Sequence, residues 1–189
     1  MKIRPKRKPL RLPYFDYSQN GAYFVTICIK NRECLLGKIS NGEMLLNYLG
    51  EIVLQSWLDL PNHYPLIEID EFTVMPNHCH GVIVMTDVGA GLKPAPTKPP
   101  LSEIIRGFKT FSARKINLFR RLPGRPVWQR NFYEHVIRDE KSLNRIREYI
   151  STNPRRWELD RENPQMTGKD EFDDWLAKYK GSPLKRCNC

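Results

Sequence analysis

The stretch "MPNHCH", residues 75–80, holds two of the chain's four histidines. They flank one cysteine and sit between the apolar runs "IEIDEFTV" and "GVIVM". On an extended strand, side chains two apart leave the same face. His78 and His80 would therefore project together, with Cys79 turned the other way into the core. Two imidazoles on one face supply two ligands for a divalent metal. The alternative is a pair of surface histidines with ordinary hydrogen-bond partners. A metal needs a further ligand. In "YISTN", Tyr149 and Asn153 are four apart, on one helical face. Asn153 offers a hard oxygen, so two imidazoles and one amide oxygen would hold Mg2+ or Mn2+ with positions left open. Tyr149 would then reach whatever the metal holds. A phenol is a weak nucleophile, yet it can attack phosphorus once the phosphate is polarised and positioned. Tyr149 also reads as an amphipathic residue flanking an apolar stripe.

Several elements must position these side chains. Residues 78–85 read as a strand, paired as a hairpin with 66–75 through a turn at "PNH". Residues 22–29 and 126–138 read as two more strands. Between 30 and 47 only turn signals stand out, at Gly37 and Asn41-Gly42. Three helices are expected. One runs from Asn47 to Pro61, with Leu49, Ile52, Val53 and Trp57 inward. A basic amphipathic one spans 101–121, opened by Ser102 as N-cap. The third covers 139–153, with Leu143, Ile146 and Ile150 as its stripe; it must end near Asn153, because Pro154 disfavours helical geometry before it. The first six elements match an α+β, ferredoxin-like βαββαβ antiparallel sheet with its helices on one face. The seventh is the helix carrying Tyr149. The domain reading is a basic N-terminal arm at 1–20, a domain at 21–157 with a flexible loop insertion at 87–100, and a charged C-terminal tail at 158–189. "EFDDWLAKY" is a short helix candidate inside that tail.

The chain has 189 residues, 40% of them hydrophobic, enough for one cored domain. No run is long enough to span a membrane, and the N-terminus lacks the apolar segment of a secretory signal. The expectation is a soluble, cytoplasmic, nucleoid-associated protein. Lys and Arg number 31 against 21 Asp and Glu, a net charge of +10. That favours a polyanion partner. Lys6, Arg7, Lys8 and Arg11 crowd the arm. Arg106, Lys109, Arg114, Lys115, Arg120 and Arg121 lie on the basic helix, and Arg130 follows it. They are candidate phosphate contacts, against the alternative of a solvated face. Trp128, Phe132 and Tyr133 could stack bases or belong to the core. Five cysteines at irregular spacing argue against a disulfide framework. Cys187 and Cys189 read as a frayed end or a soft-metal pair.

"FTVMPNHCHGVIVM", then "GFKTFSARKIN", then "VWQRNFYEHVIRDEKSLNRIREYISTNP", in that order, resemble the HUH single-tyrosine transposases of short insertion sequences. The resemblance is closest to the REP-associated tyrosine transposases and spans residues 14–157. It implies that His78 and His80 are the paired histidines, with Cys79 standing where the family has a bulky apolar residue. It implies that Tyr149 is the nucleophile and that Asn153 completes the Mg2+ or Mn2+ shell. The implied activity is cleavage of single-stranded or hairpin DNA through a 5′-phosphotyrosine. The implied assembly is a monomer or a homodimer. An N-terminal segment helps such relatives to read a short sequence beside the hairpin. A replication initiator, or a DNA-binding protein without the chemistry, are the competing readings of the same core.

Overall fold

The computed structural model describes residues 16–87 and 99–179. Lys6, Arg7, Lys8 and Arg11, most of the loop at 87–100, and the Cys187–Cys189 pair lie outside the described residues. The strands are β1 (Gly21–Cys28), β2 (Gly37–Ser40), β3 (Glu43–Leu46), β4 (Ile67–Val74), β5 (His78–Met85) and β6 (Tyr133–Ile137). The helices are α1 (Tyr48–Leu58), α2 (Leu60–His63), α3 (Leu101–Arg120), α4 (Glu140–Thr152) and α5 (Glu171–Tyr179). Four strands form one sheet in the order β4-β5-β1-β6, every neighbour antiparallel. This is the antiparallel α+β architecture expected from the residue pattern. Among the described residues no helix is long and apolar enough to cross a membrane.

Strand alternation divides the core in two. Tyr23, Val25, Ile27 and Cys79 face α1 and α3, packing with Val53, Trp57, Ile104, Ile105 and Phe108. Phe24 and Val82 face the other way, packing with Ile146, Tyr149 and Ile150 of α4 and Phe172 and Leu176 of α5. β5 is therefore covered on both sides, which is why it reads as a nearly unbroken apolar run. The close fit shows at Gly81. A Cβ there would meet the Trp57 ring at 2.4 Å, and that ring stacks on Phe72 at 4.4 Å. Trp57 thus fixes the strand one residue beyond His80.

Several elements differ from the sequence expectation. α1 and α3 share one face as expected, and the other face, unassigned from sequence, is covered by α4 and α5. Residues 37–46 form a hairpin, β2–β3. Asn41 and Gly42 both take positive φ, 51° and 76°, as a tight two-residue turn of twisted strands requires. The fourth strand is shorter than 126–138. Only Tyr133–Ile137 pairs with β1, and Trp128 makes a lone bridge to Ile29. Pro100, not Ser102, holds the N-cap position of α3, and no side chain caps it. Asp139 does cap α4, accepting a bond from Ser142 N at 2.7 Å. α4 ends at Thr152, yet Asn153 keeps helical angles and the chain runs on as a 3-10 turn from Asn153 to Leu159. The segment from 158 to 179, expected as tail, thereby folds back onto the sheet.

Candidate active site

β5 presents His78 and His80 on the face covered by α4, both under 5% exposed. Cys79 packs into the opposite core. The two Nε2 atoms lie 2.9 Å apart. Both also approach Asp160 Oδ2, at 3.5 Å from His78 and 3.8 Å from His80. The three ligand atoms lie within 4.8 Å of one another. Asp160 reaches them because the 3-10 turn after α4 bends the chain back across the ends of β1 and β5.

Partners behind the histidines set their tautomers. Asn77 Nδ2 donates to the Arg32 and Glu162 carbonyls, at 3.1 and 2.7 Å. Its Oδ1 must then face His78 Nδ1, 2.8 Å away, so His78 carries its proton on Nδ1. The His78 Nε2 lone pair is left pointing at His80 and Asp160. His80 Nδ1 pairs with Thr26 Oγ1 at 2.9 Å. Without a cation, the 2.9 Å Nε2–Nε2 contact needs one proton, which His80 supplies while Thr26 donates to its Nδ1. A cation on His80 Nε2 would require the ring proton to sit on Nδ1 instead, with the threonine hydroxyl turned to accept it. Metal-bound histidines are commonly held by such partners.

Electrostatics agree. Burial pulls His80 down to about 4, helped by His78 and opposed by Asp160, so its ring is neutral near neutral pH. Burial alone would raise the Asp160 carboxyl, but hydrogen bonds from His78 and His80 outweigh it and hold it ionised. A neutral His80 and an ionised Asp160 are what a cation needs from these two groups. Asn153 is fully buried and its Nδ2 donates to Asp160 Oδ2 at 3.0 Å. Its Oδ1 has no hydrogen-bond partner among the described residues. A buried amide oxygen without a partner is costly, and a cation or its water would satisfy it. On this donor set, a divalent metal fits.

Tyr149 approaches from α4. Its hydroxyl lies 3.3 Å from His80 Nε2. The ring stacks on Phe172 at 3.7 Å and 7° and meets Phe24 edge-on. Tyr149 is only 5% exposed. Burial, then the Asp160 charge, pushes its phenol above the ordinary range. The nucleophile candidate therefore stands beside the histidines but beneath α5.

The expected phosphate contacts lie elsewhere. α3 is on the far face of the sheet from the histidines. Arg114, Lys115 and Arg130 are exposed. Arg106 is exposed too and pairs with Glu103 one turn earlier. Lys109 turns inward, its Nζ held by the carbonyls of Gln129, Arg130 and Asn131 at 3.0, 3.5 and 3.0 Å. Burial lowers its pKa to about 8. Trp128 is buried, its indole donating to Ser112 Oγ at 2.9 Å. Nothing in the residue pattern singled out Asp160, Asn77 or Thr26. The one available signal was an acidic residue seven places after Asn153, in a stretch that read as tail.

No family model matches the chain. It is 41% identical over 170 residues to an uncharacterized protein of Haemophilus influenzae Rd, covering 82% of this chain and 91% of that one. It is 25% identical over 142 residues to a second protein of that organism, described as a candidate REP-associated tyrosine transposase, covering 74% of this chain and 73% of the relative. Among solved structures it is similar to a REP-associated tyrosine transposase bound to a REP hairpin. There the TM-score is 0.56, the identity 22%, and the coverage 80% of this chain and 74% of the other. The chain belongs to one family with the 41%-identical Haemophilus protein, and it resembles the REP-associated tyrosine transposases in sequence and in fold.

Proposed function

We propose that this protein is a metal-dependent endonuclease and strand transferase of the HUH type, acting on single-stranded DNA at hairpin or palindromic repeats. The observation that carries this is the convergence of the Tyr149 hydroxyl, two imidazole Nε2 atoms and the Asp160 carboxylate at one buried point. Tyr149 Oη attacks the scissile phosphorus. The new Oη–P bond forms as the P–O3′ bond breaks, and the phenol proton is lost while the departing 3′ oxygen gains one. The product is a 5′-phosphotyrosine with a free 3′-hydroxyl, so the bond energy is kept for joining a second end. His78, His80, Asp160 and Asn153 would hold Mg2+ or Mn2+, which supplies charge to polarise the phosphate. Hairpin DNA as partner is supported by the hairpin bound to the similar transposase.

Thr26 and Asn77 aim the histidines, and a strand in the middle of the sheet holds them better than a loop would. Phe24 and Phe172 hold the phenol ring. The ring's burial favours one competing reading, a hairpin-binding protein that keeps the site but does not cleave. Incubation with single-stranded and hairpin oligonucleotides drawn from the DNA flanking the gene, plus Mn2+ or Mg2+, separates the two. A covalent protein–DNA adduct that Tyr149→Phe abolishes is expected. Tight binding with no adduct at any metal concentration would leave only the binding protein.

A further inference from the structure

Arg161 follows Asp160 directly and stands at the same site. Its guanidinium lies 5.2 Å over the Tyr133 ring. Tyr133 pairs across the sheet with Thr26, the residue bonded to His80. Phe24 adjoins both Tyr133, at 6.2 Å, and Tyr149, at 6.2 Å. Arg161 therefore caps the aromatic wall beside the phenol. Its charge also acts on Tyr149 and on His80.

The way it is held is unusual. An arginine has five N–H donors in a rigid fork. Arg161 makes two loose ion pairs, to Glu162 Oε1 at 3.3 Å and Asp173 Oδ1 at 3.5 Å, and no hydrogen bond among the described residues. Arg147 shows what a structural arginine looks like here. It forks onto both Asp70 oxygens at 2.8 and 2.7 Å and also reaches Glu140 and Asn144. Neighbouring cations are held more closely: Arg32 sits 2.9 Å from Glu162 Oε2, and Arg156 pairs with Asp170. Arg161 is 40% exposed, so a strand entering the site can reach it. Its fork matches two oxygens of a phosphate.

We propose that Arg161 is a catalytic residue that grips the non-bridging oxygens of the scissile phosphate and stabilises the charge that builds there. This rests on the proposed cleavage reaction. As the Tyr149 Oη–P bond forms and the P–O3′ bond breaks, negative charge grows on those oxygens, and a guanidinium already at the site offsets it. The phenol proton is not passed to Arg161, which stays charged throughout.

The test compares wild type with Arg161→Gln on a single-stranded oligonucleotide, drawn from the DNA flanking the gene, that wild type cleaves with Mn2+, using either a normal or a methylphosphonate linkage at the scissile position. Arg161→Gln should slow adduct formation on the phosphate about 100-fold, with the DNA Kd changed by less than about threefold. On the uncharged methylphosphonate the variant and wild type should react at similar rates. Arg161→Lys, which keeps the charge but loses the fork, should recover part of the rate and replaces the glutamine variant if that one does not fold. A normal rate in Arg161→Gln, or an equal loss on both linkages, overturns the proposal. Tyr149→Phe separates the two layers. If it still forms adduct, or wild type forms none, the cleavage reading falls and this role with it. If it blocks adduct while Arg161→Gln reacts normally, only the role of Arg161 falls.

Discussion

A divalent cation at His78, His80 and Asp160 would be held by two neutral nitrogens and one charged oxygen. The carboxylate is the only full negative charge among them, so Asp160→Asn should weaken Mn2+ binding by more than about 100-fold, read by calorimetry. His78→Ala and His80→Ala should each weaken metal binding and cleavage together, and unchanged Mn2+ affinity in both would refute the shared site. Asn153→Ala should cost less, because water can replace an amide oxygen. Asn77 touches no metal position, yet it decides which nitrogen of His78 is free. Asn77→Ala should lower Mn2+ affinity roughly 10–100-fold with all ligands intact. The mixed donor set also favours Mn2+ over Mg2+, since imidazole suits softer ions. In chelator-treated protein the same burial makes the fold acid-sensitive. His80 is depressed from 6.5 to about 4, so below pH 6.5 the unfolded chain takes up a proton that the folded chain refuses. Stability should fall as pH drops from 6.5 towards 4, by about 3 kcal/mol from this group. Asp160, held ionised, adds a further loss at lower pH. A flat denaturation midpoint between pH 7 and 4.5 would contradict this.

At the scale of elements, two contacts decide where Tyr149 sits. Arg147, two residues before it on α4, forks onto Asp70 of β4, where the strand bulges between Ile69 and Phe72. The pair is partly solvated, so Arg147→Met should cost only about 1 kcal/mol of stability. It should nevertheless slow adduct formation further than that loss explains, because α4 is freed to shift along the sheet. The second contact is α5. Phe172 is buried against Tyr149, and Phe172→Ala should cost about 3 kcal/mol, a fall of roughly 6–12 °C in Tm. A surface tail would show no change. These contacts explain what was legible from residues alone. The alternation of His78, Cys79 and His80 with Val82 gave the strand and both faces, because period two is a local property. Tyr149 and Asn153 were legible as one helical face. Asp160 was not, because it arrives through a 3-10 turn after Pro154, where local preference favours stopping. The charges of "EFDDWLAKY" concealed Phe172 and Leu176, whose burial depends on a sheet face distant in sequence. Lys109 read as a phosphate contact, since no local pattern shows three carbonyls closing around its ammonium.

Among the described residues, the exposed basic side chains of α3 and the chemistry lie on different sides of the sheet. His78, His80 and Tyr149 face α4 and α5, while Arg114 and Lys115 are exposed on α3, behind the opposite face. A single strand threaded past Tyr149 would meet Arg161 and the aromatic wall first. α3 would reach phosphates of a substrate bulky enough to pass around an edge of the sheet, β4 or β6, as a duplex stem beside a single-stranded segment would be. Salt dependence separates these surfaces, because each phosphate contact contributes a slope of about −0.7 for single strands and −0.9 for duplex in the log–log plot. For wild type the slope should be steeper with a hairpin carrying a single-stranded flank than with the flank alone. Arg114→Ala with Lys115→Ala should lower the hairpin slope by about 1 to 2 and leave the flank-only slope unchanged. Equal slopes for both substrates, or an equal effect of the double variant on each, would put the stem on the same side of the sheet as the tyrosine.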